Sequence, residues 1–220
     1  KNVLITGGTG FVGKNLTALL LSRGFSVSLL TRTIPKEPDG FSYYKWDVAT
    51  QTIDATAVEQ ADYFIHLAGE NIGDKPWTSA QKKAILASRE QSTQLLYSAL
   101  IKTNKKPEAF ISASAVGIYG AYTDEITCTE NTEPAHDFLG TVCQKWESST
   151  NPIADLGVRT VQIRTGLVLG KGEGVLKKIV PLFRLRLGSA LGSGKQYMPW
   201  IHIDDLCEIY LHAIQNSEIQ

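Results

Sequence analysis

Residues 3–13 read Val-Leu-Ile-Thr-Gly-Gly-Thr-Gly-Phe-Val-Gly, an apolar run followed by a glycine-rich stretch. The run Val3–Ile5 predicts a short buried strand. Apolar residues then recur at helical spacing from Val12 to Leu20, which predicts a helix that stops before Gly24. The turn between this strand and this helix therefore contains three regularly spaced glycines, Gly7, Gly10 and Gly13.

A glycine loop between a strand and a helix is typical of proteins that bind a dinucleotide. Glycine allows a tight turn and a close approach of the backbone to a pyrophosphate, and the N-terminus of the following helix attracts that negative charge. Two alternatives stay open: a glycine-rich turn that binds nothing, and a site for FAD or S-adenosylmethionine. Those two ligands usually go with the spacings G-x-G-x-x-G or G-x-G-x-G, whereas this chain has G-x-x-G-x-x-G.

The end of the second predicted strand, Ser26–Leu30, bears on the choice of nucleotide. An NAD site usually places Asp or Glu there to bind the ribose 2′-hydroxyl. Here Thr31 and Arg32 stand in that position. An arginine can pair with a 2′-phosphate and stack on adenine, and the threonine can add a hydrogen bond, so the sequence favours NADP(H) over NAD(H). A solvated loop arginine is the alternative.

Strands and helices alternate along the rest of the chain as a parallel α/β sheet requires. A long helical stretch from about Ser79 to Lys102 separates the fourth and fifth predicted strands. The pattern predicts a doubly wound parallel sheet, an α/β fold with right-handed crossovers. The strands after the second are expected at Phe41–Trp46, Tyr63–Leu67, Ala109–Ser112 and Val158–Ile163.

Two long segments, residues 119–137 and 188–199, show no clear period. Long irregular segments in compact α/β domains are usually functional loops, and these follow the fifth and sixth strands, at the edge where such sheets bind ligands. We therefore expect a dinucleotide-binding domain over residues 1–165 and a small substrate-side subdomain over residues 166–220. Because an apolar helical pattern lies just before the chain stops, we also expect a further C-terminal domain after residue 220.

Composition limits the classes of function. The 220 residues are 43% hydrophobic and carry 22 basic and 22 acidic side chains, which excludes disorder and gives no basic surface for nucleic acid. No run approaches the ~20 apolar residues of a membrane span. Three widely spaced cysteines exclude a disulfide scaffold and, with no signal peptide, favour the cytoplasm. His66 and His202 lack acids or cysteines at ligand spacing, so no metal site is expected.

Motifs beyond the first helix extend over nearly the whole chain: Trp46–Val48, His66–Ile72, Ser88–Arg89 with Thr93, Ser112–Gly120, Lys145–Glu147, Gly192–Gln196 and Trp200–Leu206. With the glycine loop, they resemble an extended short-chain dehydrogenase/reductase. The finer similarity is to an atypical branch of the NAD-dependent epimerase/dehydratase family, whose members are called epimerase family proteins and described as sugar-nucleotide epimerases. Members of that branch usually carry a further small C-terminal domain.

The resemblance implies a cofactor site assembled from distant parts of the chain. Asp47 and Val48 would flank the adenine, and Leu67–Gly69 would line the ribose and the pyrophosphate. Val168 would contact the nicotinamide end, Arg89 could reach a phosphate or lie on a helix surface, and Glu70 could also act as a base. The expected cofactor contacts are Gly7, Thr9, Gly10, Phe11, Val12, Gly13, Thr31, Arg32, Asp47, Val48, Leu67, Ala68, Gly69, Glu70, Arg89 and Val168.

The proton-transfer pair typical of that family is missing. Typical members use Tyr-x-x-x-Lys, in which the lysine lowers the pKa of the tyrosine. None of the eight tyrosines here has a lysine four residues later in the sequence. When Glu147 is aligned with the family's downstream glutamate, Leu139 stands in the position of the tyrosine and Cys143 in that of the lysine. The remaining catalytic candidates are Ser114 and Tyr119. Ser114 matches the family's Ser/Thr after the fifth strand, whereas the tyrosine at the position of Tyr119 usually has a packing role in the family. The alternative for Ser114 is a strand-end hydroxyl bonded to backbone.

These observations leave more than one function open. The first is an NADP(H)-dependent oxidoreductase or epimerase that lacks the usual dyad and acts on a small substrate, with nucleotide-linked sugars among the candidates. The second is a non-catalytic NADP(H)-binding sensor or partner module. The third is a sugar-nucleotide binder with no redox step. In the first and third the ligand is a small molecule, and a homodimer is compatible with all three.

Overall fold

A seven-stranded sheet forms the centre of the computed structural model, which describes residues 1–36, 40–121, 125–190 and 192–220. Its strands lie in the spatial order β4-β3-β2-β1-β5-β6-β7. They comprise β1 (Asn2–Thr6), β2 (Ser26–Thr31), β3 (Ser42–Asp47), β4 (Thr52–Ile53), β5 (Tyr63–His66), β6 (Ala109–Ala115) and β7 (Arg159–Thr165).

Neighbouring strands of the sheet run parallel, except for the antiparallel edge pair β3–β4. Without β4, the six parallel strands follow the order 3-2-1-4-5-6 of doubly wound nucleotide-binding sheets. The direction of chain progress reverses between β1 and β5, so the carboxyl ends of these two strands border a crevice. The predicted doubly wound α/β fold is confirmed.

Seven helices surround this sheet in the described part of the chain. Val3 and Ile5 of β1 face one apolar layer, together with the first and last helices, whereas Leu4 between them faces a second layer with the second and third helices. The helices are α1 (Phe11–Ser22), α2 (Ala55–Glu59), α3 (Ser79–Thr103), α4 (Phe138–Ser148), α5 (Asn151–Asp155), α6 (Gly174–Arg184) and α7 (Ile203–Gln215).

The long helix α3 positions several polar side chains of the candidate site. It begins at Thr78, whose hydroxyl accepts a hydrogen bond from the amide of Gln81, and it ends at Asn104, a residue in the left-handed conformation. Such caps satisfy backbone groups that a helix end leaves open. Because α3 packs along the sheet, Arg89 and Ser92 in its middle are buried beside the carboxyl ends of the strands.

All six predicted strands exist, and none of their ends is shifted by more than three residues. Sequence reasoning missed the short elements β4, α2 and α5 and the longer helices α4 and α6. Residues 125–137 contain neither helix nor strand, in agreement with the predicted irregular segment. Residues 37–39 lie outside the described residues, as do residues 122–124 and 191, which belong to the two segments predicted to be irregular.

The segment after β7 contributes both to a separate small sheet and to the main core. β8 (Leu167–Leu169) pairs in parallel with β9 (Trp200–His202), while α7 packs on the same apolar layer as α1. None of the residues of α6 is buried. The boundary between a dinucleotide-binding domain (residues 1–165) and a substrate-side subdomain (residues 166–220) stays a prediction. Among the described residues, no helix combines the length and apolar character that a membrane crossing needs.

Candidate functional site

A cavity of about 610 Å³ lies at the crevice between β1 and β5. It extends from the end of β2, past the turn after β1, to the segment after β5. Ten of its lining residues were predicted from the sequence as cofactor contacts: Gly7, Thr9, Gly10, Thr31, Arg32, Val48, Leu67, Ala68, Gly69 and Glu70. Five were missed: Leu30, Thr33, Trp46, Ser88 and Ser92.

The glycine loop brings three backbone segments closer together than side chains would allow. Gly7 has φ of +72°, in the left-handed region that disfavours other residues. A Cβ on Gly13 would lie 2.7 Å from the carbonyl carbon of Gly8, and closer still to the carbonyl oxygen of Gly7. Gly10 is the N-cap of α1 and gives no side-chain hydrogen bond. The first amide groups of α1, which follow this cap, therefore have no helical partners.

A buried chain of hydrogen bonds holds the opposite wall of the cavity. Thr6 Oγ1 accepts from the amides of Leu67 and Ala68, each at 3.2 Å, and lies 2.6 Å from His66 Nδ1. His66 Nε2 lies 3.0 Å from Ser92 Oγ. Burial lowers the pKa of His66 to about 3, so the imidazole is neutral at physiological pH. The histidine thus fixes the backbone that lines the cavity, a role that no sequence motif indicated.

The outer end of the cavity is basic and contains no carboxylate from β2. Arg32 lies there between Thr31 and Thr33, and Thr31 Oγ1 donates to the carbonyl of Thr33 at 3.0 Å. The carboxylate of Asp47 instead accepts from the amide of Ala49 at 2.8 Å, in the turn after β3. The predicted pair Asp47–Val48 is therefore divided: Val48 lines the cavity, while the Asp47 side chain stabilises a turn.

Glu70 lies at the inner part of the cavity as one half of a surface ion pair. Its carboxylate accepts from Lys75 Nζ at 2.9 Å and from Gln81 Nε2 at 3.4 Å. These bonds, Lys75 first, lower the pKa of Glu70. A carboxylate held in its ionised form is a weak base, so this geometry disfavours the idea that Glu70 removes a proton.

Arg89, in contrast, is buried, with only 6% of its surface exposed. Its Nη1 donates to the carbonyls of Ile85 at 2.9 Å and Glu70 at 3.2 Å, and its guanidinium lies 4.6 Å from the ring centre of Trp146. Burial lowers the pKa of Arg89, the cost of placing a cation away from water. The alternative of a surface helix arginine is therefore wrong.

The two catalytic candidates belong to one hydrogen-bonded cluster at the carboxyl ends of β6 and β7. Ser114 Oγ donates to Glu147 Oε1 at 2.6 Å. Arg164 binds the same carboxylate with Nε and Nη2, each at 2.9 Å, and donates from Nη1 to Tyr119 Oη, also at 2.9 Å. Tyr119 donates in turn to the carbonyl of Thr129. Sequence reasoning found Ser114, Tyr119 and Glu147 but missed Arg164.

The positions aligned with the missing dyad lie beside the turn after β6. A Cβ placed on Gly117 would lie 3.4 Å from Leu139 Cβ and 3.7 Å from Cys143 Sγ. Burial raises the pKa of the Cys143 thiol to about 11, with the Glu147 charge as a further cause. Neither side chain can exchange a proton at neutral pH, so this surface of α4 is chemically inert.

Six predicted cofactor residues do not line the cavity with their side chains: Phe11, Val12, Gly13, Asp47, Arg89 and Val168. Phe11 contributes to a smaller cavity of about 320 Å³, next to His202 and Asp204. Val168 lies in β8 and packs against the apolar layer of α1 and α7. No group of three metal-ligating side chains occurs in the described parts of the chain.

The strand order, the crevice and the glycine loop together define a Rossmann-type protein of the short-chain dehydrogenase/reductase class. Residues 3–220 match the sequence model described as NAD dependent epimerase/dehydratase family. The chain belongs to that family, as the sequence resemblance predicted.

Longer relatives, of which this chain spans 44–72%, support this assignment. Epimerase family protein SDR39U1 of Bos taurus is 36% identical over 220 residues, which are 99% of this chain and 71% of the relative. The crystal structure of human SDR39U1 isoform 2 with NADPH is 35% identical, with a TM-score of 0.86 over 100% of this chain and 72% of that one. A nucleoside-diphosphate sugar epimerase from Corynebacterium glutamicum is 37% identical, with a TM-score of 0.85. This match covers 100% of this chain but 44% of that protein.

Proposed function

We propose that the protein binds NADP(H) in the crevice cavity and acts as an epimerase or oxidoreductase on a small, nucleotide-linked substrate. The observation that carries the proposal is the order of groups along the cavity. Arg32 lies at one end, the glycine loop that leads into α1 lies in the middle, and Leu67–Gly69 lie at the inner end. This order fits a dinucleotide, which is anionic at its centre and flanked by two ribosides.

The centre of the cavity suits a pyrophosphate. The amides of Phe11, Val12 and Gly13 lie in the first turn of α1, where the helix dipole favours negative charge. No acidic side chain in that turn opposes an anion. These three residues would therefore bind through their backbone, which explains how they can serve the site although their side chains lie outside the cavity. Thr9 and Gly10 would complete the loop around the phosphates.

The outer end supports a preference for NADP(H). Arg32 would bind the 2′-phosphate, with Thr31 and Thr33 beside it, and Val48 and Trp46 would contact the adenine. No acid at the end of β2 is available for the ribose 2′-hydroxyl of NAD(H). The human relative of known structure is described with NADPH, which agrees with this choice.

When bound, the nicotinamide would supply or accept a hydride at the inner end of the site. The chain's own contribution would be orientation and proton handling by Ser114 and Tyr119. Because Ser114 gives its hydrogen to Glu147, its oxygen is left to accept a hydrogen bond from a substrate hydroxyl. Tyr119 shares Arg164 with Glu147, which places both candidates in one network.

A non-catalytic NADP(H)-binding protein is the second candidate function, and one observation favours it. Leu139 and Cys143, at the dyad positions, lie against Gly117 and offer no proton at neutral pH. In this case the cavity would respond to the ratio of oxidised to reduced cofactor, and the α4 surface would have no chemical role.

Cofactor titration tests the proposal. NADPH and NADH are titrated into the protein and into Arg32→Ala, with binding followed by nicotinamide fluorescence. We expect the protein to favour NADPH, and Arg32→Ala to bind it about ten- to a hundred-fold more weakly while NADH is unaffected. Equal affinities in the unmodified protein would exclude the NADP(H) preference. Turnover of nucleotide sugars with bound cofactor then separates the enzyme from the sensor.

We also propose a cytoplasmic location and a homodimeric assembly. The three thiols are free, as is usual in a reducing compartment. Sedimentation equilibrium measures the assembly directly. The dinucleotide would bind to residues 1–165, with Val168 and the rest of residues 166–220 on the substrate side.

A further inference from the structure

Exposed apolar side chains are concentrated in one segment of the chain. Among the described residues, fourteen large apolar side chains are exposed, and eight of these lie between residues 180 and 200. The eight are Val180, Leu182, Phe183, Leu185, Leu187, Tyr197, Met198 and Trp200. Single exposed apolar residues are common on protein surfaces, whereas a cluster of them marks a contact with a partner or a membrane.

The first part of this segment is an amphipathic helix. At 3.6 residues per turn, the three cations of α6, Lys177, Lys178 and Arg184, fall on one side and its apolar residues on the other. The apolar side consists of Val175, Leu176, Ile179, Val180, Leu182 and Phe183. None of these six side chains is buried. The described part of the chain therefore gives the apolar side of α6 at most a partial cover.

The same segment is basic although the whole chain is neutral. Residues 174–203 contain five of the 22 basic side chains and none of the 22 acidic ones. Lys178 is paired with Asp74. The other four, Lys177, Arg184, Arg186 and Lys195, take part in none of the ion pairs that the described residues form. Cations that no carboxylate of the described chain neutralises thus accompany the apolar surface.

This combination of charge and apolar area decides between the possible occupants. A second copy would meet the segment with the same segment, because a two-fold contact is self-complementary, and the like charges would repel each other. A nucleotide-linked substrate is anionic but too small to cover side chains spread from Val180 to Trp200. An anionic lipid surface offers an apolar layer below a continuous negative charge, and it needs no matching groove.

We infer that residues 174–200 bind the surface of an anionic lipid membrane. The apolar side of α6 would lie in the headgroup region, and the cations would lie at the lipid phosphates. Tyr197 and Trp200 are of the two residue types that favour the boundary between lipid and water. Trp200 lies in β9, the strand beside β8, on which α6 packs. The contact does not require a bound dinucleotide, because none of these residues lines the cofactor cavity.

Vesicle binding tests this contact. The protein is mixed with vesicles of phosphatidylcholine alone or of an equimolar mixture with phosphatidylglycerol, and the bound fraction is measured by flotation. We expect the mixed vesicles to bind more than about tenfold more tightly, since each basic side chain near an anionic surface adds affinity. The difference should shrink above ~0.15 M salt, which screens the charges. Equal binding to both kinds of vesicle, or binding to neither, would overturn the inference.

Apolar variants test whether α6 and the residues after it enter the lipid surface. Leu185→Glu and Leu187→Glu should each weaken binding to the mixed vesicles about tenfold or more. Ile101→Glu is the matched control, because Ile101 is also exposed but lies on α3. The melting temperatures of all three variants should hardly change, since these side chains are largely in water. An equal loss of vesicle binding in Ile101→Glu would overturn the assignment to this segment.

Charge variants test the second component of the contact. Lys177→Gln and Arg184→Gln should each weaken binding to the mixed vesicles about fivefold, the effect of one basic side chain at an anionic surface. Lys102→Gln, near the end of α3, should have no effect. Unchanged binding in both α6 variants would overturn the role of the cations.

Sedimentation equilibrium distinguishes a membrane from a second copy. A dimer that Leu185→Glu dissociates, in a protein that binds no vesicles, would overturn the inference and assign this surface to the dimer contact. NADPH titration of the same variants keeps the two proposals separate. Leu185→Glu should bind NADPH as the unmodified protein does. If the unmodified protein binds no NADPH, the proposed function fails, whereas the vesicle measurements still decide the membrane contact.

Discussion

The two walls of the crevice differ in how their polar groups are satisfied. On the glycine-loop wall, Gly7, Thr9 and Gly10 line the cavity, and the first amides of the helix that follows them lack helical partners. On the α4 wall, Ser114, Glu147, Arg164 and Tyr119 bind one another. The first wall therefore needs a ligand to complete its hydrogen bonds, whereas the side chains of the second hold one another in place.

The largest expected effect concerns the glycine-loop wall. Gly13→Ala would force its Cβ against the backbone of Gly7 and Gly8, where no flexible side chain can yield. We expect a loss of about 2–4 kcal/mol in the free energy of unfolding and at least a hundred-fold loss of NADPH affinity. Urea unfolding and fluorescence titration measure the two effects. Gly73→Ala is the matched control, since its Cβ would meet only Asn71 Oδ1, at 3.7 Å; similar behaviour of both variants would contradict the role given to the loop.

The α4 wall should respond in stability but not in cofactor binding. Arg164→Met leaves the Glu147 carboxylate without its bidentate partner, and the two side chains are only 22% and 13% exposed. We expect a loss of about 2–3 kcal/mol, somewhat less than for a fully buried pair because water screens part of the charge. NADPH affinity should stay within twofold. Arg164→Met with Glu147→Leu should be more stable than Arg164→Met alone; a double variant that is less stable would show that the cluster contributes more than charge compensation.

The wall opposite the glycine loop should make stability depend on pH through His66. The unfolded chain binds a proton at this site below pH 6.5, whereas the folded chain resists it down to about pH 3. Stability is therefore full above pH 6.5 and falls as the pH decreases below it, by about 2 kcal/mol at pH 5. His66→Gln should lose this part of the dependence, although its stability at pH 8 is lower. The urea midpoints of the unmodified protein and of His66→Gln are measured at pH 8, 6.5 and 5. The same change of midpoint with pH in both proteins would contradict a neutral His66 imidazole in the folded state.

The smallest effect is expected for Ser114→Ala. The variant removes one hydrogen bond to a carboxylate that Arg164 still binds, so the loss should be about 1–2 kcal/mol. NADPH affinity should not change, whereas turnover of any substrate found should fall. Ser112→Ala, which removes a hydroxyl bonded to the backbone of Ala113, is the control. Unchanged turnover in Ser114→Ala would remove this serine from the catalytic candidates and favour the non-catalytic function.

The sequence predicted the fold well because its signals are local. Val3–Ile5 and the glycines that follow lie within a few residues of one another, and their turn depends on backbone sterics alone. The same holds for Arg32 at the end of β2. The predictions for the α4 side were less complete because the contacts there join distant residues: Arg164 meets Glu147 across 17 residues and Tyr119 across 45. No spacing rule links such positions.

Buried polar residues were the other class that sequence patterns could not place. His66 and Ser92 occupy positions that an apolar period would assign to the core, and only their hydrogen bond shows why polar residues stand there. Arg89 was identified from a motif, but its burial and its stacking on Trp146 could not be read from α3 alone. From the sequence it is easier to predict which residues are important than to predict which atoms they contact.

The distribution of the three thiols has a practical consequence for spectroscopy. Cys128 is exposed, whereas burial raises the pKa of Cys143 to about 11 and that of Cys207 to about 12. A maleimide dye at neutral pH should therefore label residue 128 selectively, without any engineered cysteine. That residue precedes Thr129, whose carbonyl accepts the Tyr119 hydrogen bond. A fluorophore there would report in real time on any movement of the loop of residues 125–137 relative to Tyr119.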